Sequence, residues 1–261
     1  MPESLEPAWT RKYGQLEVVV FPTSRMLAAR AAVDLAAAIG EAIATRGAAS
    51  IILATGNSQL EFMAALRQQR DIEWSKVRVF HMDEYRGMSE CHPASFRRYI
   101  RERLTDVVHP REFFGLQGDA DDVEAELRRY AGLLVQYPPD ACVVGIGENG
   151  HLAFNDPPAD FETQELVRVV NLDEACRRQQ WGEGWFPSLE EVPRQALSLT
   201  VPALLAARRV LVVVPEARKA VAVKAALEGP ITPHCPASIL QRQPHARLYL
   251  DRESSSLLTS P

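Results

Sequence analysis

The chain has 261 residues, of which 46% are hydrophobic and 24% are charged, and its formal net charge is −5. This composition is typical of a soluble globular protein and excludes an intrinsically disordered chain. An acidic chain without a long basic run offers no electrostatic footprint for nucleic acid or for an anionic membrane surface. No apolar stretch approaches the ~20 residues of a membrane span, and the first residues lack a signal-peptide pattern. We therefore expect a cytoplasmic protein.

Short apolar runs rich in β-branched residues alternate along the chain with longer stretches of helical pattern. The apolar runs predict strands at 16–21, 49–55, 77–82, 141–147, 166–172, 209–215 and 246–250. Helices are predicted at 24–46, with Ser24 as N-cap and Gly47 as terminator, and at 58–70, 93–105, 121–136, 188–206 and 216–228. This alternation predicts an α/β fold: a doubly wound, mostly parallel open sheet with helices on both faces, of Rossmann-like type.

The chain shows no linker and no internal repeat, so we expect a single domain over residues 1–261 with a loose tail at 252–261. Segment 173–193 is a long irregular insert, of a kind that often forms a lid or a binding loop. Its residues Trp181 and Trp185 either pack the insert or line a pocket. The cysteines and histidines lack metal-ligand spacing, so we expect free thiols and no metal.

Ligands of open α/β sheets bind beyond the carboxyl ends of the strands, so the residues that follow each strand are candidates for a site. The turn after strand 49–55 consists of Thr55, Gly56, Asn57 and Ser58. Ser58 and Glu61 have the spacing of a capping box at a helix start, and the free N–H groups of such a start suit a phosphate. A capped helix start without any ligand is the alternative interpretation.

Two acidic residues, Asp83 and Glu84, directly follow the predicted strand 77–82. Successive side chains of an extended segment point to opposite faces, so only one of the two carboxyl groups can face a pocket. Partial burial would raise the pKa of that carboxyl group and make it a useful base for abstracting a proton next to a carbonyl. A solvated acidic turn is the alternative.

A glycine-rich turn, GIGENGHLAFNDPP, follows the predicted strand 141–147 and contains Asn149, His151 and Asp156. His151 could transfer protons near neutral pH, and Asp156 could orient or stabilise its imidazole. The letters GIGENG also fit the dinucleotide pattern G-x-G-x-x-G. The pattern lies late in the chain and is followed by AFNDPP rather than by a helix, so dinucleotide binding is not expected.

These segments, in this order, resemble the glucosamine-6-phosphate deaminase family, within the superfamily that also contains 6-phosphogluconolactonases. The resemblance covers residues 15–250 and is carried by ATGNSQLEF, FHMDEYRGMSECHPASFRRYI, GIGENGHLAFNDPP and PEARKAVAVKAALEG. The DER-type and DGH motifs of the lactonase branch are absent from this sequence.

The resemblance implies conversion of an amino sugar 6-phosphate and water to a ketose phosphate and ammonia, without a cofactor. It makes Asp83 the base that moves a proton from C2 to C1, and His151 the acid and base of ring opening, supported by Asn149 and Asp156. It places the phosphate on the turn Thr55–Ser58 with Lys219. Of the pair Arg177 and Arg178, it favours Arg178 as a further phosphate ligand. The expected partner is a small phosphorylated sugar; the sequence leaves monomer and homo-oligomer open.

The sequence differs from the family pattern at three places. Asn149 stands where many members have Asp, and Asp156 stands where the pattern has Glu, so backbone position must restore the contact to His151. The insert also lengthens the loop that carries the arginine pair. A lactone hydrolase and a non-catalytic sugar-phosphate sensor are the alternative functions. The sensor is disfavoured because a sensor has no need for both Asp83 and His151.

Overall fold

Two β-sheets organise the chain in the computed structural model, which describes residues 5–259. The strands are β1 Trp9–Tyr13, β2 Leu16–Phe21, β3 Ala49–Leu53, β4 Val77–His81, β5 Asp83–Tyr85, β6 Glu112–Phe114, β7 Ala141–Val144, β8 Val167–Asn171, β9 Gln195–Leu199, β10 Arg209–Val214 and β11 Ala246–Asp251. The larger sheet has eight strands in the order β1-β2-β11-β10-β7-β3-β4-β6. All neighbouring pairs in it are parallel except β1 with β2.

Helices cover both faces of the larger sheet. They are α1 Ser24–Arg46, α2 Leu60–Arg67, α3 Phe96–Ile100, α4 Asp106–Val108, α5 Val123–Gln136, α6 Glu174–Gly182, α7 Val201–Leu205 and α8 Ala220–Glu228. Single 3₁₀ turns, Asn57–Gln59 and Ala217–Lys219, lead into α2 and α8. Among residues 5–259, no helix combines the length and the apolar character needed to cross a bilayer.

The central strands are buried on both sides, as their continuous apolar sequences predicted. Ile52 and Val144 pack into one core, whereas their chain neighbours Ile51 and Val143 pack into the core on the opposite face. Burying an aliphatic side chain of this size contributes about 1.5–3 kcal/mol. The predicted α/β fold with a mostly parallel sheet is therefore confirmed.

The long helix α1 has the predicted bounds, but its N-cap is not the predicted residue. Gly47 adopts φ 77° and donates its N–H to the carbonyl of Ile43, a left-handed cap that glycine accepts without strain. The N-cap is Thr23, whose hydroxyl accepts from the N–H of Met26, so the predicted cap Ser24 is wrong. Ser24 is instead the first residue of the helix.

The expected capping box of Ser58 and Glu61 does not form. The chain enters a 3₁₀ turn at Asn57–Gln59, and no side chain caps the start of α2. The tighter turn places Ser58 inside the helical segment, where its hydroxyl cannot serve as an N-cap.

The predicted helix at 188–206 is wrong over residues 188–200, because 188–194 forms turns and bends and Gln195–Leu199 is the strand β9. Within the predicted range only α7, Val201–Leu205, is helical. Strand β9 lies between β5 and β8 in a separate antiparallel sheet of three strands. The predicted strand at 166–172 therefore exists as β8, but it belongs to this smaller sheet. Segment 173–193 is also less irregular than expected, since it contains the helix α6.

The segment after Asp251 packs on the protein instead of forming a loose tail. Ser254 is fully buried and its N–H donates to the Asp251 carboxylate at 2.7 Å. Further along, the Thr259 N–H donates to Glu228 at 2.7 Å, and Lys224 donates to the Leu257 carbonyl. The expectation of a loose tail is thus corrected for residues 252–259; positions 260 and 261 lie outside the described residues.

The order of the strands creates a crevice at the carboxyl ends of β3 and β7. From β3 the chain continues outward through β4 to β6, and from β7 it continues in the other direction through β10 to β11. Adjacent strand ends whose connections diverge in this way leave an open crevice, where ligands of doubly wound sheets bind. The sequence segments following β3, β4, β7 and β10 all arrive there.

Candidate active site

A cleft lies at this crevice. Its walls come from the segments after β3, β4, β7 and β10, together with α6. The lining residues are Ala54, Thr55, Gly56, Ser58, Met82, Asp83, Phe96, Gly145, Ile146, Gly147, His151, Ala153, Phe154, Gln179, Gln180, Glu183 and Lys219. Segments that are distant in sequence thus bring most of the predicted site residues into one cleft.

Asp83 presents a buried carboxyl group to the cleft. It is the first residue of β5 and pairs with Ser198 of β9, which holds its backbone at the edge of the smaller sheet. The residue is 5% exposed, and its Oδ1 has no hydrogen-bond partner among the described residues. Burial, followed by the nearby charge of Glu84, raises the pKa of Asp83 well above the ordinary carboxyl value. An unpartnered carboxyl group of raised pKa suits proton transfer.

Glu84 points away from the cleft and has a structural role. Its carboxylate accepts from the Ser95 hydroxyl at 2.7 Å and from the Arg97 N–H at 3.0 Å. It also accepts from the N–H groups of Phe96 and Tyr85. The carboxylate therefore holds the first turn of α3, where negative charge is favoured by the free N–H groups. The predicted alternation of Asp83 and Glu84 is present, and the alternative of a solvated acidic turn is wrong.

His151 is held by a network of polar side chains from its own loop. Its ring Nδ1 lies 3.2 Å from Oδ1 of Asp156. The backbone N–H of His151 donates to Oδ1 of Asn149 at 3.1 Å. Asn149 in turn donates to Asp156 at 3.0 Å and to Asp173 at 3.1 Å. Burial by itself would raise the pKa of Asp156, but the contacts from His151, Asn149 and the Asp173 N–H outweigh burial and lower it. Asp156 is thus kept ionised beside the imidazole.

The imidazole of His151 lies directly over Gly147. A Cβ at position 147 would stand 2.3 Å from Nε2 of the ring, so the close approach requires glycine there. The Gly147 N–H also donates to the His151 carbonyl at 3.0 Å. The glycine-rich sequence after β7 therefore makes room for the ring rather than for a pyrophosphate.

The turn after β3 offers unpaired backbone donors. Gly56 has φ 99°, and its carbonyl accepts from the Tyr99 hydroxyl at 2.9 Å. The N–H groups of Gly56, Asn57 and Ser58 find no acceptor within residues 5–259. The Asn57 side chain does not line the cleft but donates to the Glu183 carbonyl at 3.1 Å. Such clustered N–H groups can bind an anion.

Lys219 lies at the end of the 3₁₀ turn after β10 and is 3% exposed. Its ammonium group forms no ion pair or hydrogen bond with the part of the chain that the structure describes. Burial, followed by the charge of Arg218, lowers the pKa of Lys219. A buried cation without a partner at the wall of a cleft is a natural ligand for an anionic substrate group.

Arg178 does not reach the cleft, so its expected contact with a phosphate is corrected. Its side chain is 60% exposed on the outer side of α6 and pairs with Glu174. Arg177 also points away from the cleft, because its guanidinium group donates to the carbonyls of Leu189 and Val192. These hydrogen bonds connect α6 to the later part of the insert. The turn of α6 that faces the cleft carries Gln179 and Gln180 instead, which are amides without charge.

Glu183 enters the cleft in the region where an arginine was expected. Its side chain is 6% exposed, and its Oε1 accepts from Arg218 at 2.9 Å and from Gln179 at 3.0 Å. Burial would raise the pKa of Glu183, but the contacts with Gln179 and Arg218 lower it. The sequence did not predict this residue as part of the site. Its surroundings, WGEGW, show no hydrophobic periodicity that would indicate a buried position for Glu183.

The two tryptophans of the insert do not line the cleft. Trp181 is 43% exposed on the surface of α6. Trp185 packs edge to face against Tyr99 and directs its Nε1 toward Glu183 at 3.4 Å. Of the two predicted roles, packing of the insert is the one that Trp185 fulfils.

Three potential metal ligands lie close together, and one of them, His151, lines the cleft. Within residues 5–259, His151, Asp156 and Cys176 have ligand atoms within 4.8 Å of one another. Both Asp156 oxygens already accept hydrogen bonds, from Asn149 and from the Asp173 N–H. These hydrogen bonds stabilise the negative charge of Asp156 without a bound metal ion.

The family of the chain follows from a match over most of its length. The sequence profile described as glucosamine-6-phosphate isomerases/6-phosphogluconolactonase matches residues 22–250. The chain belongs to this family. The resemblance that the sequence motifs indicated is thereby confirmed.

Individual members of the glucosamine-6-phosphate isomerase/6-phosphogluconolactonase family are similar over most of both chains. A glucosamine-6-phosphate deaminase of Exiguobacterium sibiricum is 37% identical over 210 residues, which are 80% of this chain and 81% of the relative. One of Bacillus cereus is 34% identical over 219 residues, covering 84% and 82%. A solved monomeric glucosamine-6-phosphate deaminase has a TM-score of 0.84 at 32% identity, covering 92% of this chain and 99% of that chain. A 6-phosphogluconolactonase from Shewanella baltica, at 24% identity and TM-score 0.74, shares the fold.

Proposed function

We propose that this enzyme is a glucosamine-6-phosphate deaminase. It converts glucosamine 6-phosphate, or a close relative, and water to fructose 6-phosphate and ammonia. The family membership and the deaminases that are 34–37% identical support the assignment. The observation that carries it within the cleft is the combination of an unpartnered buried carboxyl group, Asp83, with a histidine and a buried lysine.

The first step is opening of the sugar ring, which we assign to His151. The imidazole takes the proton of the C1 hydroxyl and returns a proton to the ring oxygen as the C1–O5 bond breaks. Asp156 stabilises the imidazolium form, and Asn149 fixes both groups through its amide. The product of this step is the open-chain aldehyde, which has an acidic hydrogen at C2.

The second step is proton transfer from C2 to C1, which we assign to Asp83. Its carboxylate removes the C2 proton, and the electron pair forms the C1–C2 double bond of an enolamine while the C1=O π bond breaks and O1 takes a proton from the 2-ammonium group. The same carboxyl group then returns a proton to C1, and the nitrogen lone pair forms the C2=N bond. The protonated 2-amino group of the substrate lies beside Asp83 and favours its carboxylate form, which offsets the effect of burial. The resulting C2 imine adds water, and breaking of its C–N bond releases ammonia.

Binding of the phosphate keeps the sugar in one position for both steps. We place it on the N–H groups of Thr55, Gly56, Asn57 and Ser58, with Lys219 as the cation. Binding energy from this non-reacting group orients C1 and C2 against Asp83, which is how a distant contact raises the rate. Arg178 has no part in this assignment.

The test is a direct assay of purified protein. Glucosamine 6-phosphate should yield ammonia and fructose 6-phosphate in equal amounts, and Asp83→Asn should abolish both while still binding the product. Hydrolysis of 6-phosphogluconolactone without ammonia release would show a lactone hydrolase instead. Sugar-phosphate binding without either reaction would show a sensor.

We also propose a single catalytic domain over residues 1–261 that acts in the cytoplasm on a small phosphorylated sugar and needs no cofactor. The acidic composition supports a lack of nucleic-acid and membrane partners. Light scattering of the purified protein would decide between a monomer and a homo-oligomer.

A further inference from the structure

Gln180 of α6 has a buried amide group in the wall of the cleft that the proposed reaction does not use. The residue is 7% exposed and lines the cleft together with Asp83 and His151. Its Oε1 accepts from the hydroxyl of Tyr85 at 2.8 Å. Tyr85 is fully buried and lies in β5, two residues after Asp83. The hydrogen bond therefore fixes the amide relative to the strand that carries the proposed base.

This hydrogen bond leaves the donor end of the Gln180 amide available. Within residues 5–259, Nε2 of Gln180 donates to no group. The adjacent amide of Gln179 is engaged at both ends, because its Oε1 accepts from the Glu148 N–H and its Nε2 donates to Glu183, both at 3.0 Å. A buried N–H group without an acceptor costs free energy, which a ligand that accepts from it restores.

The position of Gln180 along α6 places this donor at the middle of the cleft. Cys176, Gln180 and Glu183 have the spacing i, i+4 and i+7, so they lie on one face of the helix. Sγ of Cys176 lies within 4.8 Å of a ring nitrogen of His151. Oε2 of Glu183 lies 3.6 Å from the position that a Cβ would occupy at Gly56. With a rise of about 1.5 Å per residue, Gln180 is about 6 Å along the helix from Cys176 and about 4.5 Å from Glu183.

The proposed reaction places the two ends of the sugar at the two ends of this wall. C1 and C2 lie at His151 and Asp83, and the phosphate on C6 lies at the turn Thr55–Ser58. The carbons that pass Gln180 are therefore the central ones, of which C3 and C4 carry free hydroxyl groups. An uncharged amide donor matches the oxygen of such an uncharged hydroxyl group.

We propose that Gln180 is a specificity-determining residue that donates a hydrogen bond to the hydroxyl oxygens at C3 and C4 of the sugar, and that Tyr85 is the positioning residue that orients its amide. This inference rests on the proposed function for the placement of the two ends of the sugar. A ligand without the matching hydroxyl group leaves the buried N–H unpaired, so the site discriminates against it.

The test uses three ligands that cannot be turned over because they lack a carbonyl group at C1. They are 2-amino-2-deoxyglucitol 6-phosphate, as the parent compound, and its 3-deoxy and 4-deoxy analogues. Calorimetric titration at pH 8 gives the Kd of each. The wild-type protein should bind at least one of the deoxy analogues about three- to tenfold more weakly than the parent compound, which is the range for one hydrogen bond between neutral groups.

The double variant Tyr85→Phe/Gln180→Met removes both polar groups of the buried hydrogen bond at similar side-chain volume, so we expect it to fold. Its Kd values for the parent compound and for that analogue should agree within about twofold. Gln180→Met alone should show the same loss of discrimination, and it serves as the second variant if the double variant does not fold. Tyr85→Phe alone keeps the amide but not its orientation, so its discrimination should be intermediate. The matched control is Arg178→Met, on the outer side of α6, which should discriminate as the wild type does.

Three results would overturn the proposal. They are a wild-type protein that binds all three ligands alike, a Gln180→Met protein that keeps the wild-type discrimination, and a Gln180→Met protein that binds all three ligands more weakly by one common factor. The last result would give Gln180 a purely structural role. In each of these cases the wild type still binds the parent compound and releases ammonia from glucosamine 6-phosphate. Failure of the wild type to do either would instead overturn the proposed function, and with it this inference.

Discussion

Gly147 is the residue whose replacement tests most sharply how the ring of His151 is positioned. A Cβ at this position would lie 2.3 Å from both Cε1 and Nε2 of the imidazole. Carbon contacts at their optimum are about 3.5–4.0 Å long, so in Gly147→Ala the ring must move by about 1 Å or more. That shift breaks the 3.2 Å approach of the ring Nδ1 to Asp156.

The size of the effect follows from this displacement. Misplacing a reacting group by about 1 Å costs about 100-fold in rate, which corresponds to about 2.7 kcal/mol of activation free energy. We therefore expect kcat to fall about 100-fold in Gly147→Ala with little change in KM, because the phosphate turn is a separate part of the cleft. The overpacked loop should also lower the free energy of unfolding by about 1–3 kcal/mol.

The assay is steady-state release of ammonia and fructose 6-phosphate, combined with urea unfolding. Gly132→Ala serves as the control, because Gly132 lies within α5 and has no atoms within 4 Å of the added methyl group. It should raise stability by about 0.5–1 kcal/mol and leave kcat unchanged. A Gly147→Ala enzyme with the kcat of the wild type would refute our account of how the imidazole is positioned.

Three further predictions concern the charges in and near the cleft. Lys219→Met should raise KM for glucosamine 6-phosphate by about 10–100-fold, since a hydrogen bond to a charged group contributes about 1.5–3 kcal/mol; an unchanged KM would place the phosphate elsewhere. Asp83→Asn should raise the free energy of unfolding at pH 8, because burial raises the pKa of Asp83 and the folded state loses stability as the pH rises above about 4. This gain, measured by urea unfolding, should shrink as the pH is lowered toward 4, and a gain that grew instead would contradict the raised pKa. Arg178→Ala should leave kcat/KM within about twofold of the wild type, since its side chain pairs with Glu174 on the surface; a large loss would restore its assignment to the phosphate.

The larger sheet could be predicted because burial on both faces leaves a continuous apolar run in the sequence. Strands such as β3 and β10 show this pattern directly. The smaller sheet could not be predicted in the same way. Its strand β9 has the sequence QALSL, which lies between helix-favouring residues, and it becomes a strand only through pairing with β5 and β8.

The residues of the site could be predicted where a reactive side chain closely follows the end of a strand. Asp83 and His151 line one cleft because their segments leave neighbouring parts of the fold at the same edge. The residues contributed by α6 could not be predicted, because the orientation of that helix depends on tertiary contacts. Arg177 holds the insert through the Leu189 and Val192 carbonyls, and this orientation turns Arg178 outward.

The central claim is that the Asp83 carboxyl group moves the proton from C2 to C1. The most direct measurement is conversion of glucosamine 6-phosphate that carries deuterium at C2, in H₂O, with NMR detection of deuterium at C1 of fructose 6-phosphate, for the wild type and Asp83→Asn. We predict deuterium at C1 of the wild-type product, and a rate at least about 100-fold lower with Asp83→Asn although the variant still binds fructose 6-phosphate. Formation of C1-deuterated product by Asp83→Asn at the wild-type rate would contradict the claim.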